Sequence, residues 1–106
     1  MQKIIQQLVA FRDERDWEQF HTSKDLAAAI SIEAGELLEL FLWKSNEEVD
    51  SKRLAEELAD VLSYCLLLAN KHGLDVTTII ENKIKINSLK YPIDKAKGSA
   101  KKYSDL

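Results

Sequence analysis

One cysteine, one proline and three glycines in 106 residues leave the chain short of cross-links and breaks. A single Cys65 cannot close a disulfide within the chain, which fits a reduced, cytoplasmic setting. It lies on an apolar stripe, so a packed, inert thiol is expected. With so little proline and glycine, the composition excludes a disordered or collagen-like chain. No apolar run approaches the roughly 20 residues of a membrane span, and the N-terminus shows no signal-peptide pattern. A protein without membrane attachment is expected. No alternating run sits between turn signals, so strands are not expected. Positive charge is not in excess either: the net charge is −3, with no overall pull toward nucleic acid.

What remains is 45% hydrophobic and 31% charged residues in a length that bounds one domain. Periodicity predicts four helices, at about 2–16, 23–43, 51–72 and 75–90, followed by a lysine-rich tail over 93–106. Ile4, Ile5, Leu8, Val9 and Phe11 mark the first. Leu26, Ile30, Ala34, Leu37 and Phe41 mark the second, opened by Thr22 and Asp25 in a capping-box-like start. Leu54, Leu58, Val61, Leu62, Cys65, Leu66 and Ala69 mark the third, with Gly73 placed as its C-terminal cap. Val76, Ile79, Ile80 and Ile84 mark the fourth, capped by Asp75 and stopped at Pro92. An all-α, four-helix bundle-like fold follows. It buries limited surface, and helix two carries Leu38, Leu40, Leu42 and Trp43 beyond its main stripe. Something outside the chain should cover them.

Two acidic pairs stand out, Glu33-x-x-Glu36 on helix two and Glu57-x-x-Asp60 on helix three. Residues three apart share a helix face. At about 100° per residue, Glu33 falls roughly 20° from Leu26, inside the apolar sector. Glu36 and Glu57 fall at the edges of their stripes and Asp60 further round. Two like charges about 4 Å apart repel by roughly 4 kcal/mol at an effective dielectric near 20. Four such groups need protons, lysines or a metal, and all-oxygen ligation suits Mg²⁺ or Mn²⁺. A lone Glu-x-x-Glu means little; Glu39, Glu47, Glu48 and Glu56 read as surface acids. Two pairs beside facing stripes read as a divalent-cation site, and Mg²⁺ in turn favours a phosphate-bearing substrate.

The acidic pairs, twenty residues apart, resemble the signature of MazG-like all-α nucleotide pyrophosphohydrolases. The surrounding stretches FRDERDWEQFH (11–21), EAGELLELFLWK (33–44), EELADVLSY (56–64) and Lys90-Tyr91-Pro92 are similar to the dCTP pyrophosphatase branch. The resemblance implies Mg²⁺-dependent cleavage of a (deoxy)nucleoside triphosphate to monophosphate and pyrophosphate. It implies Glu33, Glu36, Glu57 and Asp60 as metal ligands and catalytic groups. It further implies Trp17, His21, Trp43 and Tyr64 around the nucleotide, Asn87, Lys90 and Tyr91 near phosphates, and a homotetramer built as a dimer of dimers. Residue chemistry is compatible: a tryptophan face stacks a base, although packing is the commoner use of Trp.

Three alternatives have recognisable marks. A related all-α pyrophosphatase acting on dUTP or another triphosphate differs in substrate. A di-iron bundle wants two Glu-x-x-His motifs; Glu18 and His21 give one, but Ala69 stands three before His72. A non-catalytic helical interaction module binds neither metal nor nucleotide. The seven lysines from 83 to 102 read as a solvated face or as phosphate contacts.

Overall fold

Three helices carry most of the first 73 residues: α1 (Gln2–Glu14), α2 (Ser23–Glu39) and α3 (Ser51–Lys71). The computed structural model describes residues 1–45 and 48–106, so the surface role assigned to Glu47 lies outside the described residues. Two compact units make up the chain, residues 1–73 and 74–106. The second holds α4 (Val76–Lys90), a short α5 (Ile93–Ala96) and a 3₁₀ turn at Tyr103–Asp105. All regular structure among the described residues is helical.

Local chemistry sets the helix starts. Thr22 accepts the Asp25 N–H at 3.1 Å, Asp50 the Lys52 N–H at 3.0 Å and Asp75 the Thr78 N–H at 3.0 Å. Each satisfies a donor that the first helical turn leaves unpaired. The Thr78 hydroxyl also donates to Asp75 at 2.7 Å, and these bonds hold the Asp75 carboxyl below its ordinary value. Gly73 follows α3 at φ +64°, the left-handed cap its position suggested.

Two helices stop before the residues that periodicity gave them. α1 ends at Glu14, not at residue 16, because Asp16 turns into the left-handed region at φ +54°. α2 ends at Glu39, not at residue 43. Beyond it the hydrogen bonds tighten to three-residue spacing, Phe41 N–H to Leu38 and Leu42 N–H to Glu39, and Trp43 adopts φ +61°. An apolar run continues through Trp43, but the backbone has already left the helix.

α2 pairs with α3 along most of its length, and α1 packs on α3. Ser23, at the start of α2, meets His72, just past the end of α3, with Oγ and Nε2 at 2.8 Å, so the pair is antiparallel. The core is small: Ile5, Leu26, Leu40, Leu66, Leu67 and Ala69. Leu58, Leu62 and Cys65 share one line of α3 with Ala69, yet the first three are exposed. The expectation of a packed Cys65 is therefore corrected: the stripe is apolar, but its middle is left uncovered in the chain alone. Ile79, Ile80, Ile84 and Leu89 of α4 are exposed as well.

Candidate functional site

The α2–α3 pairing sets the two acidic motifs opposite each other. One carboxylate oxygen from each of Glu33, Glu36 and Glu57 falls within a group whose members are all within 4.8 Å of one another. Glu33 and Glu57 are half-buried and Glu36 is exposed. Glu33 Oε2 and Glu57 Oε2 are shut off from solvent and have no hydrogen-bond partner among the described residues. Asp60 is outside this tight group but close enough for its charge to act on both.

The electrostatics follow from that crowding. Desolvation, then the adjacent Glu36 carboxyl and the charges of Asp60 and Glu57, push Glu33 up from 4.5 to about 6. Desolvation and the Glu36 charge raise Glu57 too, opposed in part by Arg53. Two solvent-excluded carboxylate oxygens without a donor, in a cluster that resists ionisation, are what a cation would satisfy. This cluster could therefore bind a metal.

Beside it opens a cavity of about 270 Å³. α3 lines it with Asp60, Ser63, Tyr64 and Leu67, the i, i+3, i+4, i+7 positions of one face. α1 contributes Leu8, Phe11 and Arg12, and the following turn contributes Trp17 and His21. Asp60 thus belongs to the cavity wall and to the acidic neighbourhood alike. His21 and Tyr64 stand edge to face at 6.4 Å, and His21 Nδ1 is buried without a partner among the described residues.

The turn carrying Trp17 is held from several sides. Trp17 N–H donates to the Arg12 carbonyl at 3.1 Å, and its ring meets Phe11 edge to face at 5.8 Å. The Arg15 guanidinium lies 3.6 Å from the Phe11 ring centre, and Gln19 donates to the Asp16 carbonyl at 3.0 Å. Glu18 faces Arg12 at 3.7 Å rather than joining His21 in a metal motif, and His72 is bonded to Ser23.

Of the residues named from sequence, Trp17, His21, Tyr64 and Asp60 come together in this cavity. Trp43 does not: it is 99% exposed on the turn after α2. Asn87, Lys90 and Tyr91 belong to the second unit, where the Lys90 ammonium lies 4.8 Å from the Tyr103 ring centre and Tyr91 meets Tyr103 at 6.1 Å. Leu8, Phe11, Arg12, Ser63 and Leu67 were not named from the sequence as site residues. Helical spacing from Asp60 and Tyr64 was enough to find Ser63 and Leu67; nothing in the sequence pattern pointed to Arg12.

A helical unit with a carboxylate cluster beside an aromatic cavity matches what comparison with known proteins finds. The MazG-like family model matches residues 28–106, and the chain belongs to that family. dCTP pyrophosphatase 1 of Rattus norvegicus and of Homo sapiens are 42% and 40% identical to it over 104 positions. These alignments cover 91% of this chain and 61% of each relative, so the chain spans about three-fifths of the curated relatives' length. The crystal structure of a pyrophosphatase from Archaeoglobus fulgidus aligns with a TM-score of 0.80 and 39% identity, covering 87% of this chain and 92% of that chain.

Proposed function

We propose that the chain is a Mg²⁺-dependent nucleoside triphosphate pyrophosphohydrolase, with dCTP as its preferred substrate, that clears surplus or damaged nucleotides. The observation that supports it most is the pair of orphaned, solvent-excluded oxygens on Glu33 and Glu57 beside an aromatic cavity. Its relatives named as dCTP pyrophosphatases favour the substrate choice.

In this reading Glu33, Glu36 and Glu57, with Asp60 beside them, hold Mg²⁺ or Mn²⁺. The cation supplies charge neutralisation for the triphosphate and a more acidic bound water. The carboxylates do the rest of the local work. Their crowding, seen in the raised Glu33 pKa, makes a hard cation the natural counter-charge near neutral pH. A carboxylate left free of the cation takes the proton of the attacking water, which adds to the α-phosphorus as pyrophosphate leaves. Trp17 offers a face for stacking, and His21 from the same turn and Tyr64 from α3 orient the base. The resemblance assigns Asn87, Lys90 and Tyr91 to phosphate oxygens and Trp43 to the nucleotide.

The covering group is a second copy of the chain. Leu38, Leu42, Trp43, Leu58 and Leu62 are all exposed, and a chain of this size gains by covering them. A homotetramer, assembled as a dimer of dimers, is the form we assign. Among the described residues, no helix is long and apolar enough to cross a membrane. A cytoplasmic setting without nucleic-acid partners completes the assignment.

The test is pyrophosphate release from the common dNTPs and NTPs, with Mg²⁺ and with EDTA. Metal-dependent conversion of dCTP to dCMP is expected, and Glu36→Ala or Asp60→Ala should abolish it while far-UV circular dichroism stays helical. Full turnover in either variant would remove these residues from the site. Cleavage of dUTP in preference to dCTP would move the substrate assignment.

A further inference from the structure

Arg12 lies at the seam of two cavities. It lines the aromatic one and also a second of about 300 Å³, whose α3 wall is Leu67, Asn70 and Lys71. Those residues are two to three turns from Asp60, roughly 10–16 Å at the helical rise. Arg12 thus shares the first cavity with Asp60 and, through the second, reaches the turns of α3 remote from the other carboxylates. A triphosphate drawn to the acidic end by its cation leaves the base, not the phosphates, toward those turns.

The guanidinium is held in place. Its side chain is 13% exposed. Nε and Nη2 approach Asp13 Oδ1 at 2.9 and 2.8 Å, and Nη2 lies 3.7 Å from Glu18 Oε2. Its backbone carbonyl anchors the Trp17 N–H. A guanidinium has five N–H groups and no acceptor. Among the described residues Nη1 has no hydrogen-bond acceptor, and it is not shut off from solvent, so it is open to a ligand. A fixed, partly desolvated arginine with spare donors selects for an acceptor.

We propose that Arg12 is a specificity-determining residue, donating an N–H to a carbonyl oxygen or unprotonated ring nitrogen on the outer edge of the substrate's base. Asp13 and Glu18 fix the direction of that donor. The inference rests on the site taking a nucleoside triphosphate. A base that turns an amino group toward Arg12 leaves two donors facing each other and binds less well.

Pyrophosphate release from dCTP, dTTP, dATP and dGTP by the wild type, Arg12→Ala and Arg12→Lys separates the possibilities. Losing one hydrogen bond to a charged donor should raise KM for the best substrate about tenfold or more. In Arg12→Ala, kcat should change by less than about threefold, and kcat/KM values across the four should converge. Arg12→Lys keeps charge and stem but not the fork, and should recover only part of the discrimination. A wild-type ranking and KM in Arg12→Ala, or a parallel loss for all four substrates, would overturn the proposal. If Arg12→Ala loses helicity, Arg12→Lys decides: full wild-type discrimination overturns it, a narrowed spread supports it. A wild type that cleaves none of the four instead removes the reading beneath it.

Discussion

Glu33 joins the chemistry of the site to the stability of the fold. In the metal-free chain it gives up its proton near pH 6, whereas an unfolded chain does so near 4.5. Between those values the folded form holds a proton that the unfolded form has released. Stability therefore falls as pH rises through this window. Glu57, raised for the same reasons, adds to the trend. The EDTA-treated protein is expected to melt a few degrees higher at pH 5 than at pH 7. Mg²⁺ should raise Tm more at pH 7, where the ligands are ionised, because metal binding requires deprotonated oxygens. Thermal melts at both pH values, with and without Mg²⁺, check this. An equal Mg²⁺ shift at both would mean that the ion binds elsewhere.

Between the two acids of the α2 pair stands Gly35, in mid-helix. A Cβ added there meets nothing within 4 Å. On the chain alone, Gly35→Ala should therefore gain about 0.5–1 kcal/mol, by the helix preference of alanine. Denaturant unfolding measures it, and a loss instead would reveal another surface packed closely at that point. The helices themselves were legible from periodicity and capping: Thr22 and Asp75 are side-chain caps and Gly73 is the left-handed stop, whereas the Asp50 cap of α3 was not singled out. The facing of Glu33 and Glu36 toward Glu57 was legible because three-residue spacing fixes a face. The ends of α1 and α2 were not, since apolar spacing continues through Phe41 and Trp43 while the backbone turns. The place of Arg12 was also hidden, because it depends on the reversal at Asp16 that folds Trp17 back over α1. Cys65 misled for the opposite reason: periodicity marks an apolar line but not how far along it a neighbour reaches.

At the scale of the molecule, six buried residues among those described make a thin core beside so many exposed leucines and isoleucines. Sedimentation at micromolar concentration should therefore give a species of several chains, and Leu62→Asp should shift it toward the monomer. An unchanged monomer in the wild type would contradict the assembly. Trp43 sharpens the point. A bulky aromatic residue in the left-handed region costs roughly 1–2 kcal/mol that glycine would avoid. Since its side chain is bare, it recovers little of that from packing within the chain. Trp43→Gly should thus melt no lower than the wild type when monomeric, while weakening turnover and assembly. A position where the most fold-compatible residue is the least useful one is a standing tension between durability and activity, and thermostability selection applied to this chain alone would be expected to discard Trp43 early.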